Sequence, residues 1–586
     1  MRNILKDIQS IYLQKPVVCI LLASMLLTLP YIGIGDFYTK GEPREASLAI
    51  SMIQDGHWVL PVGYADEIGY KPPLMHWMIA GFSLIAGKVS EATSRLPSAL
   101  GLIGMTVFTL IFLLRRKSKV EAVLAALILL TSFEMHRNGL ECRVDMTLAF
   151  FMSMALIEMF KWEERRLKGF PILLVTLLGC AGLVKGPVGI ILPCVVFGVY
   201  LLIIKYPFWK LLWKNVIVAV PALLILFAWY AMAYRQDGNH FLTIVFAENI
   251  GRFLGMDRDA LGINYDLGHK GPFWYYFPAI LVGFLPWSLA LAFAVCSFGC
   301  KKCRKKMKGF STLWFKRFVS IDRMTLYSIL VVVLFICFYA IPSSKRSVYI
   351  MPVYPFASFL LARVFLWVEK NKPSIFRLLG YIVLTMVAVL LFLTSVFHFF
   401  NLSDVAALLF SDPKTIYDVG LFAQYFLHPG LTGILFWLFL LAVFVLFIGW
   451  MRTKNVRTLL FGLFTLFIST QIFLEGSIYP VYKNGYTLQK VADEFASSYD
   501  LTGRTYVMNN LRHYRNIYGL NFYLKNEFRN FEKELPSEGY LIIGEKSLFS
   551  VRKKFLGEYG FVVLRKTKRS FNELNDGILI CQIVKI

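Results

Sequence analysis

The sequence predicts a polytopic α-helical membrane protein with a small C-terminal α/β domain, and three observations lead there. Of its 586 residues, 57% are hydrophobic and 16% aromatic, with a mean hydropathy of +0.59, which is too apolar for a chain that keeps its surface in water. Apolar runs recur from Val17 to near Glu475, each about long enough to cross a bilayer core as a helix. Residues 479–586 then turn charged and hold no run of that length. Stretches such as Leu326–Ala340, Leu378–Phe397 and Ile434–Trp450 are continuously apolar rather than alternating, so a helical bundle and not a β-barrel is expected.

Hydropathy and length give about thirteen spans in residues 1–478. The first, Val17–Gly35, runs long and has no small-residue cleavage site, and reads as a retained anchor. The loop that follows, residues 36–73, is too long for a simple connector. In it Pro43 suits the first turn of a helix, and Ala46, Ala49, Ile50 and Ile53 recur on one face until Asp55-Gly56 ends it. Tyr70-Lys71-Pro72-Pro73 must be extended, because the prolines forbid a helix through that point; a second half-immersed segment, Leu74–Ala86, comes next. Later connections on the same side are Glu134–Asp145, a large loop at 235–272, Ser343–Arg346 and Asn401–Pro429. Beyond the spans, a helical period at Thr487–Tyr499 and strand-like runs at Thr505–Met508, Tyr540–Ile543, Phe561–Leu564 and Ile578–Val584 predict the α/β domain, residues 479–586.

The formal net charge is +25, yet Lys and Arg cluster in alternate short loops: Arg115 to Lys119, Arg165 to Lys168, Lys205 to Lys214, Lys301 to Arg317, Lys370 with Lys372, and Arg452 to Arg457. That distribution is the positive-inside pattern and argues against a nucleic-acid partner. It puts the N-terminus in the cytoplasm, and an odd span count puts the C-terminal domain outside. Most of the nine cysteines lie in apolar runs, and Cys300-Lys-Lys-Cys303 lacks the second pair or histidines that a zinc site needs.

The outward loops collect the chemistry. Glu42, Arg44 and Glu45 gather at the start of the first loop helix, where a carboxylate can be a capping acid as well as an active one. Lys71 is held by its prolines as a candidate phosphate ligand. Asp145 ends one outward loop, and Lys185-Gly-Pro187 breaks the chain at the same level. Single charges at span ends are ordinary boundary groups; two carboxylates and two lysines converging on one face are not. The 235–272 loop adds Glu248 to Arg252 and then His269-Lys270, and Ser343 to Tyr349 brings Lys345 and Arg346 to a side that the positive-inside tendency leaves poor in cations.

The order of these pieces resembles the bacterial aminoarabinose transferases that modify lipid A and, more broadly, the GT-C glycosyltransferases that include protein O-mannosyltransferases. It is carried by Gly41-Glu-Pro-Arg-Glu-Ala46, Gly56-His-Trp-Val-Leu-Pro61, Tyr70-Lys-Pro72, the Asp145 junction, Lys185-Gly186, Glu248 to Arg252, His269-Lys-Gly-Pro-Phe-Trp-Tyr-Tyr276, Leu285-Pro-Trp287 and Lys345 to Tyr349. The resemblance implies a GT-C fold of about thirteen transmembrane helices with a periplasmic C-terminal domain, in the bacterial inner membrane. It implies a sugar, aminoarabinose-like or other, taken from an undecaprenyl-phosphate carrier and given to lipid A or another envelope acceptor. By position, Lys71, Lys270, Lys345 and Tyr349 would bind the donor phosphate, Glu42 and Asp145 would be the acids, with Glu42 ahead as base, and Arg44, Glu45, Lys185 and Arg252 would support them. Two positions depart from the pattern: the usual first-loop aspartate is Gly41, and the glutamate before the lysine is Tyr70. A divalent metal on His269 would therefore need Asp66 or Glu67 as its carboxylate. A protein O-glycosyltransferase is the rival enzyme, and a lipid-linked sugar flippase the rival of another class; the flippase is disfavoured because charge collects at span ends and no repeated halves are visible.

Overall fold

The structure is a computed structural model that describes residues 10–256, 270–298, 321–399, 406, 408–508, 517–567 and 576–586. Among the described residues seven helices are long and apolar enough to cross a membrane, and eight with the pair Tyr276–Gly283 and Trp287–Cys296, which bends by 117°. Other expected spans are helical but short: Pro16–Thr28, Ile172–Lys185 and Val188–Ile203 have only 13 to 16 residues, against about 20 for a straight crossing. The expected thirteen therefore exceeds the number that length and apolarity alone mark out. At the centre, every residue of Lys119–Thr131 from Ala122 onward is buried, as a helix apolar all round must be. It packs on Tyr354–Asn371 and on Glu91–Leu114, which in turn meets Val144–Glu164.

Two polar ends face away from each other. Glu91–Leu114 and Val144–Glu164 carry Arg95 and Asp145 near one end and reach the other about 30 Å later. There Lys117 and Arg363 pair with Asp322 at 2.9 and 2.8 Å, Arg323 with Glu163 at 3.2 Å and Arg457 with Glu369 at 2.9 Å. Lys117 and Arg457 belong to the basic connections that the charge pattern assigned to one side; Lys301 to Arg317 lie outside the described residues.

At the opposite end the first loop forms the helices Gly41–Gln54 and Leu74–Ala86, as their periods predict. The 235–272 segment departs from expectation. The helix Phe208–Phe246 continues past the polar residues Arg235 to Asp237 by kinking at Gly238 (φ 59°), and a π-turn carries it on to Leu254. Asn401–Pro429 likewise contains a helix, Pro413–Leu427, capped by the Asp412 carboxylate.

The C-terminal domain is a five-stranded mixed sheet. β1 is Thr505–Val507, β2 Arg529–Asn530, β3 Glu538–Gly544, β4 Tyr559–Lys566 and β5 Ile578–Lys585. Their spatial order is β2-β1-β3-β5-β4, with β1 parallel to β2 and β3 and the rest antiparallel. The helix Tyr518–Tyr523 contributes Tyr518 and Leu520 to this domain's core and also packs on Gly41–Gln54.

Candidate active site

The helix Gly41–Gln54 is buried from Glu45 through Met52, and its first two carboxylates take different partners. Glu42, 1% exposed, accepts from Arg95 Nε at 2.7 Å, Arg95 Nη2 at 3.1 Å and the Cys142 N–H at 2.9 Å. Burial alone would raise its carboxyl, but the guanidinium outweighs that and holds it below the ordinary range. Arg95 is wholly buried and also donates to the carbonyls of Ile32, Gly35 and Asp36. Glu42 thus has both oxygens engaged in fastening the first loop to the bundle.

One turn on, Glu45 pairs with Lys71, while its second oxygen accepts from His76 Nε2 at 2.8 Å. Burial pushes the Glu45 carboxyl up, but Lys71, His76 and Arg44 together hold it well below the usual range. Lys71 itself is lowered by burial, opposed by Glu45 and, more weakly, by Asp145. Asp145, in the first turn of Val144–Glu164, pairs with Lys185. The Lys185 ammonium lies 4.4 Å from the Tyr349 ring centroid, a cation–π contact. In both pairs the lysine is the accessible partner, 22% and 23% exposed against 8% and 9% for the acids. Two lysines, each backed by a buried carboxylate, therefore meet at one end of the bundle.

Lys185 reaches that place because the chain breaks after it. Gly186 has φ 85° and ψ −160°, which only glycine adopts without strain, and an added Cβ would meet Asn249 Oδ1 and Tyr230 Oη at 3.2 Å.

The other expected residues divide. Arg44 contacts Tyr70 through a 3.4 Å bond from Nη2 and a 5.8 Å approach to the ring; burial pushes the Tyr70 phenol up to about 12, with Arg44 pulling it down. Arg252 pairs with Glu248 at 2.8 Å. Lys270 is exposed on the strand-like contact between Lys270 and Ser344. Lys345, expected as a phosphate ligand, gives its ammonium to the carbonyls of Tyr339, Ala340 and Pro342 at 3.3, 2.8 and 2.6 Å. All three N–H groups are spent on the end of Arg323–Ala340, so in this conformation it offers a phosphate nothing. His269 lies outside the described residues. Asp66 and Glu67 meet Lys533 and Tyr518 of the C-terminal domain, and Glu67 also lines the recess that holds Tyr70 and Lys71. The carboxylate beside Lys71 comes from Glu45 instead. No three His, Cys, Asp or Glu side chains converge as a metal site among the described residues.

Sequence reasoning missed Arg95 and His76. A lone arginine in an otherwise apolar helix is a signal for the first; a histidine in Leu74–Ala86 carries none, because its partner is 31 residues away.

Residues 70–233 match the dolichyl-phosphate-mannose-protein mannosyltransferase family. Over 353 residues the chain is 27% identical to undecaprenyl phosphate-alpha-4-amino-4-deoxy-L-arabinose arabinosyl transferase 2 of Proteus mirabilis, covering 58% of each chain. Over 373 residues it is 26% identical to the corresponding arabinosyl transferase of Pectobacterium atrosepticum, covering 62% of this chain and 60% of the relative. The chain thus spans less than two thirds of the length of either relative. Its fold is that of ArnT from Cupriavidus metallidurans, solved with bound undecaprenyl phosphate: TM-score 0.66 and 17% identity, covering 97% of both chains. The resemblance to GT-C transferases of the aminoarabinose type is borne out, and the chain is a multi-pass membrane protein of that fold.

Proposed function

We propose that this chain, built on the ArnT fold, is a membrane glycosyltransferase that moves a sugar from an undecaprenyl-phosphate carrier to lipid A or another envelope acceptor. The single observation that carries the reading is the convergence of the pairs Lys71–Glu45 and Lys185–Asp145 at one end of the bundle. The catalytic face is the periplasmic side of a bacterial inner membrane, because the basic connections lie at the other end.

The acceptor oxygen attacks the anomeric carbon, the bond to the carrier phosphate breaks, and the phosphate leaves with added negative charge. Lys71 and Lys185 are already fixed by their carboxylates, so they stabilise that charge without reorganising. Lys270, exposed at the rim, adds to the field. Asp145 is the acid of the site, while Glu42 holds the first loop. If the acceptor is a lipid A phosphate it is already an anion and needs no base; a hydroxyl would need Asp145 as base.

Mass spectrometry of lipid A from strains with and without the gene tests this. A missing pentose- or hexosamine-sized decoration is expected; an unchanged profile would remove lipid A as the acceptor. The second reading, transfer to a protein hydroxyl, is favoured by the match of residues 70–233 to a protein mannosyltransferase family, and glycoproteomics of the same strains would reveal it.

A further inference from the structure

The loop that delivers Lys71 is a closed unit whose tip is plugged into the C-terminal domain. Its base is tied by the Val62–Ile68 bridge, by Gly63 N–H donating to the Glu67 carbonyl at 2.8 Å and by Gly69 N–H donating to the Pro61 carbonyl at 2.7 Å. At the tip, Ala65 and Asp66 are consecutive non-glycine residues at φ 51° and 64°, a left-handed conformation that persists only where surroundings over-determine it.

Those surroundings come from residues more than 400 positions later. Ala65 N–H donates to the Phe528 carbonyl at 3.0 Å, and Asn526 Nδ2 donates to the Val62 carbonyl at 3.1 Å. Tyr518 Oη donates to Glu67 Oε2 at 2.6 Å, and Lys533 lies 3.5 Å from Asp66. Tyr64, 1% exposed, is counted in the apolar core of the C-terminal domain, with its ring 5.0 Å from Tyr518 and 5.5 Å from Phe528. Only Tyr70 separates the tied base at Gly69 from Lys71, and Glu67, Tyr518, Tyr70 and Lys71 line one recess.

We propose that the C-terminal domain is a working part of the donor site: Tyr518 and Asn526 are positioning residues that hold the 61–69 loop and so set Lys71 for the carrier phosphate. This rests on the reading of Lys71 as a phosphate ligand. It predicts that a defect made in the soluble domain appears as a loss of donor affinity.

The experiment measures binding of undecaprenyl phosphate to the purified full-length protein in detergent, with hydrogen exchange of the 61–71 amides on the same samples. Tyr518→Phe and Glu67→Ala are expected to weaken binding roughly three- to tenfold, the worth of one hydrogen bond, and to speed exchange at Gly63 and Gly69. Glu67→Gln still accepts from Tyr518 and should bind like the wild type, which a merely misfolded protein would not explain. Lys71→Ala serves as the reference. If it loses binding while Tyr518→Phe and Glu67→Ala keep both wild-type affinity and wild-type exchange, the positioning role is overturned and the donor site stands. If Lys71→Ala binds normally, the donor-site reading fails, and exchange alone then decides: faster exchange in Tyr518→Phe supports the hold on the loop, and unchanged exchange refutes it.

Discussion

Glu42 and Glu45 are three residues apart on one helix, yet they do opposite work. Glu42 is spent on Arg95, a buried arginine that binds three backbone carbonyls as well. Glu45 presents a lysine to the accessible side. Removing one member of a buried ion pair leaves the other charge uncompensated, at about 3–5 kcal/mol. Glu42→Gln is therefore expected to lower the melting temperature and the yield of folded protein, whereas Asp145→Asn, whose partner Lys185 is 23% exposed and can be solvated, should keep most of the stability and lower transfer by freeing Lys185. Thermal unfolding of both purified variants beside a transfer assay checks this; a Glu42→Gln protein of wild-type stability and no activity would return Glu42 to the chemistry. The candidate residues of this helix were visible in the sequence as a cluster. Their separation into anchor and site was not, because it depends on which later helix supplies each partner.

At the scale of elements, the helices Gly41–Gln54 and Leu74–Ala86 form where period and prolines predict, since their determinants are local: a proline in the first turn, an apolar stripe, and Asp55 and Gly87 at their ends. Elements that depend on a kink were harder to read. Phe208–Phe246 runs through three polar residues and bends at Gly238, so composition suggested an end where the helix only changes direction. Gly186 is the counterpart that was legible, as a Gly-Pro break between two apolar runs. Its left-handed φ and the close Tyr230 and Asn249 atoms make Gly186→Ala a direct test of the break. Strain of roughly 1–3 kcal/mol is expected, and, because Lys185 is the adjoining residue, a tenfold or larger fall in transfer. Equal activity in that variant would mean that the turn does not set Lys185.

For the whole molecule, the ion pairs Lys117–Asp322, Arg323–Glu163 and Arg457–Glu369 close one end of the bundle, and the lysine–carboxylate site with the C-terminal sheet forms the other. The two ends should lie on opposite sides of the membrane. A phosphatase reporter that needs disulfides to fold, joined after Ile586, is expected to be active, and the same reporter joined after Lys117 inactive. Activity at both junctions, or at Lys117 alone, would overturn that orientation.

The sequence by itself determined the helical membrane class, the separate α/β domain, the basic side and the residues eligible for the site, because hydropathy, charge and turn chemistry act over neighbouring positions. Only the tertiary structure decided which of those residues pair. Glu45 and not position 70 backs Lys71, Lys345 caps a helix, Arg95 claims Glu42, and Tyr518 reaches Glu67 across 451 positions. Pairing energies of that kind depend on distance in space and on burial, and neither is written in the spacing of a single chain.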